Sequence, residues 1–210
     1  MSILNFNKDL TEKCLSFLDL VPATKILECA NQQDLFWNAH IKRLRYNAEI
    51  VIGIDEDCFI FDIEALRETV EFILLNKYAY AGCPEGVVAC RKQHDKIYTN
   101  SFFCIFNMKV IRESEIDFPS VAPIQGETYW PIFQALDKAG KGRFPLYLKD
   151  WDDGVTTVIS SPSGKEMALH TWYARDYGKP EHYQRINNAY NSAVGRKHVE
   201  GISNNANVPA

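Results

Sequence analysis

The stretch Glu49-Ile50-Val51-Ile52-Gly53-Ile54-Asp55-Glu56-Asp57-Cys58-Phe59-Ile60 constrains the fold more than any other part of this chain. Glu49 to Ile54 is mostly apolar, rich in β-branched residues, and lacks the polar alternation of a half-exposed strand. It therefore predicts a strand buried on both faces. The abrupt change to Asp-Glu-Asp places carboxylates at the carboxyl end of that strand, the edge where open α/β sheets bind their ligands. Asp55 and Asp57 are two apart, so a chain turning out of the strand can aim both at one hard divalent cation. Such a cation takes oxygen ligands and shares them with substrate phosphates. The bare motif also fits a solvated acidic turn, and what the rest of the chain supplies decides between the two.

A chain of 210 residues has enough material for one large domain with a substantial core, or two small ones. Its net charge of −4 gives no electrostatic footprint for nucleic acid or an anionic membrane. No apolar run approaches the ~20 residues of a spanning helix, and the N-terminus lacks a basic start and an apolar signal core. The expectation is a cytoplasmic protein (host cytoplasm for a viral one), or a piece of a larger chain with further domains beyond its C-terminus. Cys14, Cys29, Cys58, Cys83, Cys90 and Cys104 form no Cys-x-x-Cys, and several sit in apolar segments, so they read as reduced and mostly buried. Cys83, Cys90 and His94 match no common zinc spacing and lack a fourth ligand.

In chain order, Ser2 to Phe6 predicts a short strand and Asn7-Lys8-Asp9 a turn, with Asp9 as N-cap and Glu12 completing a capping box. Leu10, Cys14, Phe17 and Leu18 recur at helical spacing, closed by Pro22. Lys25 to Cys29 predicts a strand, Ala30 to Gln33 a loop, and Asp34 the cap of a helix carrying Phe36, Trp37, His40, Ile41 and Leu44. Strand, helix, strand, helix, strand makes two βαβ units, whose three strands would lie parallel with aligned carboxyl ends. Further on, Asp62 caps a helix, and Tyr78 to Cys83 and Phe102 to Phe106 predict strands with a loop or hairpin between them. A helix opens near Pro131, where proline is tolerated, and stops at Gly140. Phe144 to Leu148 predicts a strand, Asp150 to Gly154 an acidic turn, Thr156–Ile159 and Met167–Thr171 a hairpin, and Glu181 to Val194 a helix. Residues 195–210 read as a flexible tail or linker.

With these elements in place, the chain resembles a compact glycosyltransferase of the GT-A fold, the metal-dependent nucleotide-sugar class, over residues 2–180. Ile3 to Leu15 is similar to that family's first strand, nucleotide loop and helix. Ile52 to Phe59 resembles its Asp-x-Asp segment, Gly126-Glu127-Thr128 its acceptor-side carboxylate element, and Leu169-His170-Thr171-Trp172 its late metal-binding histidine. The order is also similar to the N-terminal domain of multidomain capsid-glycan glycosyltransferases of large DNA viruses. The resemblance implies one α/β GT-A-like domain over 1–194 with a mainly parallel central sheet. Its nucleotide half would span about 1–60 and its acceptor half about 61–180. Two departures stand out: few residues precede Asp55, and the acceptor-side element is Gly-Glu-Thr where the family has a Glu-Asp type.

On this resemblance Asp55, Asp57 and His170 hold Mn²⁺ or Mg²⁺, the imidazole favouring Mn²⁺. The metal offsets charge developing on the diphosphate leaving group of a UDP-sugar. Asp57 is the direct ligand, and Asp55 binds through water or holds donor hydroxyls beside Glu56. Glu127 is the general base for the acceptor hydroxyl of a glycan or glycoprotein, which implies inversion, with a retaining course left open. Asn5, Phe6 and Lys8 with Glu28 and Asn31 lie at the expected nucleotide loops. Trp172, Arg175 and Lys179 follow His170 on a segment that can fold over the diphosphate. Tyr129, Trp130 and Trp151 would form an acceptor platform, or simply core. Two alternatives remain at this level. A sugar-1-phosphate nucleotidyltransferase would need a Gly-rich phosphate loop, which Asn5-Phe6-Asn7-Lys8 is not. The other is a non-catalytic nucleotide-sugar-binding module of a larger protein.

Overall fold

The computed structural model describes residues 2–4, 7–18, 27–29, 48–84, 99–114, 116 and 130–205. Its elements are β1 (Ser2–Leu4), α1 (Lys8–Leu15), β2 (Leu27–Cys29), β3 (Ile50–Ile54), β4 (Cys58–Ile60), α2 (Ile63–Leu75), β5 (Tyr80–Pro84), β6 (Thr99–Asn107), α3 (Met108–Arg112), α4 (Trp130–Lys138), β7 (Arg143–Pro145), β8 (Tyr147–Asp150), β9 (Thr157–Ser160), β10 (Glu166–His170) and α5 (Pro180–Asn205). The fold is mixed α/β. No helix among the described residues is long and apolar enough to cross a membrane.

The strands form two sheets, ordered β2-β1-β3-β6-β5-β7 and β4-β10-β9-β8. β1 pairs parallel with both β2 and β3, as expected for the first three strands. The expectation of a mainly parallel sheet is corrected beyond that point. β6 runs antiparallel to both β3 and β5, and the second sheet is antiparallel throughout. The cause is local: β6 returns beside β5 as its antiparallel neighbour and enters the sheet against the direction of the other five strands. Those five still send their carboxyl ends to one edge, and Asp55 leaves β3 there.

The apolar runs of the central strands have a two-sided explanation. Alternate residues of a strand face opposite sides, and here both sides are covered. Ile52, Ile54, Ala81, Cys83, Phe103 and Ile105 join the main core with α1, α2, α5 and the second sheet. Tyr80, Cys104 and Phe106 face a smaller core closed by Phe133 and Leu136 of α4 and by Met108 and Ile111 of α3. In the main core, Phe17 after α1, Phe59 of β4 and Tyr190 of α5 meet with ring centroids 5.6–5.8 Å apart, which ties the two ends of the chain together.

Gly82 is closely packed, beside a register shift between β5 and β6. A Cβ there would lie 2.3 Å from Cγ2 of the buried Thr99 and 3.3 Å from Sγ of Cys104. Gly82→Ala is therefore expected to cost about 1–3 kcal/mol, the usual penalty for overpacking, read as a lower midpoint of denaturant unfolding.

Local details also depart from expectation. The N-cap of α1 is Asn7, whose Oδ1 accepts from the Leu10 N–H at 3.3 Å. Asp9 lies two residues past the cap, inside the first turn, and pairs with Lys13. Asp62 does cap α2, accepting from the Ala65 N–H at 2.8 Å. The single strand expected at Phe144–Leu148 is two, because the chain changes sheets at the buried Leu146. The tail expected from Gly195 is corrected too, since α5 continues to Asn205. Arg196 pairs with Glu166 and lies over the Phe61 ring at 5.0 Å, and Lys197 donates to the Ser16 carbonyl. These contacts hold the helix where its own composition offers little to bury. The expected helix at 34–44 lies outside the described residues, as do 85–98 and 117–129.

Candidate metal centre

The Asp-Glu-Asp segment is the turn by which the chain leaves one sheet and enters the other. The Asp55 N–H donates to the Phe102 carbonyl at 2.9 Å, the last tie to β6. The Cys58 N–H then donates to the Asp55 carbonyl at 3.1 Å, closing a four-residue turn into β4. β4 pairs antiparallel with β10, which sets His170 opposite Cys58. Register alone therefore carries a histidine from late in the chain to the acidic turn. Asp55, Asp57 and His170 each offer a ligand atom, and these atoms all lie within 4.8 Å of one another.

Asp57 is buried at 2% exposure and held at both carboxylate oxygens. His170 Nε2 lies 3.2 Å from Oδ1, and the Thr171 hydroxyl donates to Oδ2 at 3.1 Å. The Thr171 N–H also donates to the Asp57 carbonyl at 3.1 Å. Burial opposes ionisation of Asp57, but the imidazole and the Thr171 hydroxyl outweigh it and hold the carboxyl below its ordinary range. Half-buried Asp55 goes the other way. Burial first, and the Asp57 charge second, push it up to about 6, although His170 and Arg175 pull against this.

The His170 ring is fixed on both faces. It stacks on Phe102 with centroids 3.9 Å apart and planes at 3°, and meets Trp172 edge-on at 4.4 Å. A carboxylate only accepts, so in the neutral ring Nε2 carries the proton toward Asp57 and the lone pair falls on Nδ1. Nδ1 is buried with no hydrogen-bond partner. His170 Nε2 beside a carboxylate held ionised, with a second carboxylate that resists ionisation within reach, fits a divalent cation that displaces the Nε2 proton.

Two bulky residues after His170 adopt left-handed backbone, Trp172 at φ 58° and Tyr173 at φ 61°. Such positions cost about 1–3 kcal/mol each and persist only where neighbours over-determine them. Here the Trp172 indole N–H donates to Thr157 Oγ1 at 2.8 Å. A few residues on, the Tyr177 hydroxyl donates to Asp9 at 2.6 Å, which docks the segment on α1.

The sequence-derived site residues fall into four groups. Asp55, Asp57 and His170 are brought together, and exposed Arg175 lies close enough for its charge to act on Asp55. Two residues are taken up by the protein itself. Glu56 is buried and its Oε2 accepts from the Asn7 N–H at 3.1 Å, joining the acidic turn to the start of α1. Trp172 is buried against His170 and Phe102, and its indole N–H donates to Thr157 Oγ1, so in this fold it supports the histidine. Lys8 is exposed at the start of α1, 3.7 Å from Glu12, and Glu28 lies in β2 opposite Ile3. Asn5, Phe6, Asn31 and Glu127 lie outside the described residues. Sequence reasoning missed Thr171 and Arg185, both of which brace this centre. Thr171 stands next to the histidine, which is the only hint the sequence offers.

No protein-family model and no curated protein matches the sequence. Among solved structures, the chain is similar to the crystal structure of A197 from STIV at 14% identity and a TM-score of 0.47, over 82% of this chain and 93% of that one. A likeness at that level carries no inference about family or activity.

The raised Asp55 carboxyl has a measurable consequence. A carboxyl whose folded pKa lies above its unfolded value adds stability below about pH 3.8 that is lost as pH rises through about 6. Metal-free Asp55→Asn is thus expected to melt higher than the metal-free wild type at pH 7.5, with the gap closing below pH 4. Melting curves across that range check it, and a gap independent of pH would contradict it.

Proposed function

We propose that this chain is a metal-dependent glycosyltransferase that moves a sugar from a UDP-sugar to a hydroxyl of a glycan or glycoconjugate. One observation carries the reading. Asp55, Asp57 and His170 converge at the carboxyl-end edge of the larger sheet, where an α/β protein binds phosphorylated ligands. The GT-A assignment, the preference for uridine and the inverting outcome rest on the sequence resemblance.

On this reading Asp57 and His170 are the anchoring ligands, already fixed by Thr171 and Phe102, and Asp55 completes the set as it ionises. A bound Mn²⁺ or Mg²⁺ supplies Lewis-acid stabilisation of the diphosphate leaving group. Arg175 places a second positive charge on the same side as Asp55, suited to phosphate oxygens. Glu56 holds the α1 N-terminus against the acidic turn. Glu127 is proposed as the base that takes the acceptor proton.

The test is release of UDP from a panel of UDP-sugars, with and without Mn²⁺ and with simple glycoside acceptors. Metal-dependent release stimulated by an acceptor supports the reading. Metal-dependent binding without any release would instead indicate a binding module.

A further inference from the structure

We infer that Arg185, on helix α5, is the positioning residue that holds the strained turn after β10 and thereby keeps His170 and Asp57 in ligating geometry. This rests on the reading of Asp55, Asp57 and His170 as a metal centre. Arg185 grips consecutive carbonyls: Nη1 donates to Thr171 O and Nη2 to Trp172 O, the latter at 2.9 Å. Nη1 also reaches Thr156 Oγ1 at 3.2 Å. The guanidinium is itself braced from the β8–β9 turn, where Asp153 Oδ2 lies 3.8 Å away. Asp153 in turn accepts from the N–H groups of Val155 at 2.9 Å and Thr156 at 2.6 Å.

The two gripped carbonyls belong to the residues that serve the centre. Thr171 bonds Asp57 through its hydroxyl and its N–H, and Trp172 packs edge-on against the His170 ring. Trp172 and Tyr173 are left-handed, a conformation their side chains resist, so the turn needs an outside hold. A planar two-armed donor provides one where a single ammonium does not. The contact also ties α5, the last described element, to metal affinity. Sequence reasoning gave α5 no part in the site.

The experiment uses the full chain as wild type, Arg185→Gln, Arg185→Lys and Asp57→Asn. One readout is Mn²⁺ binding, followed by the loss of free-Mn²⁺ electron paramagnetic resonance signal. The other is the Trp172 indole N–H resonance in metal-free protein, assigned with Trp172→Phe. Both Arg185 variants are expected to move that resonance and weaken Mn²⁺ about 10–100-fold, as loss of an outer-shell partner does. If Arg185→Gln does not fold, Arg185→Lys decides by the same two readouts. Unchanged resonance and affinity in Arg185→Lys, with Mn²⁺ lost in Asp57→Asn, would overturn the role of Arg185 alone. No Mn²⁺ binding by the wild type would refute the centre itself, and the role of Arg185 toward it.

Discussion

Asp57→Asn is expected to lose Mn²⁺ affinity by about 100-fold or more, beyond the ~10–100-fold of an outer-shell change, while the chain stays folded. The substitution keeps the volume and two hydrogen-bonding atoms for His170 and Thr171, but removes the charge that the site is built to hold. Asp57 is the carboxylate that its surroundings keep ionised, whereas Asp55 is pushed up to about 6. On the proposed reading, Asp57 would therefore be the anchoring ligand near neutral pH. Asp57→Asn also removes one of the charges that raise Asp55, so Asp55→Asn and Asp57→Asn together should not simply add. Calorimetric titration of Mn²⁺ into each variant measures this. Equal affinities for wild type and Asp57→Asn would leave the acidic turn without a metal role.

Phe102→Ala should be the most damaging core substitution that also reaches the site. Phe102 is buried at 2% exposure, and its ring is the stacking partner of His170 and an edge contact of Trp172. Truncating a buried Phe costs about 3–5 kcal/mol, a large part of the ~5–15 kcal/mol that holds a typical domain. Phe133→Ala is the matched control. Phe133 is equally buried but stacks on Tyr80 in the smaller core, away from the acidic turn. The two variants should lose similar stability in urea, and only Phe102→Ala should also weaken Mn²⁺. Equal Mn²⁺ affinities at equal destabilisation would mean that the stack does not orient His170.

What could be read from the residues followed from short-range physics. The run Glu49–Ile54, the helix capped by Asp62, and the hairpin around Ser160–Gly164 each carry their own periodicity and stop signals, and each stands where it was expected. The Asp55–Asp57–His170 convergence was reached through a resemblance, and the structure supplies its mechanical cause, the β4–β10 register. That cause was not legible, because Cys58–Ile60, three apolar residues after the acidic turn, carries nothing that marks entry into a second sheet. The antiparallel course of β6 was hidden for a similar reason: buried strands read alike whichever way they run. Thr171 and Arg185 escaped because a threonine beside a histidine and an arginine on a polar helix are ordinary. Only their contacts across the fold make them part of the site.

Calorimetric titration of UDP into the full chain, with Mn²⁺ and after its removal by chelation, tests the central claim most directly. Saturable binding that appears only with Mn²⁺ is the predicted result. UDP binding of equal strength in both conditions, or none in either, would contradict a nucleotide-sugar metal centre at Asp55, Asp57 and His170.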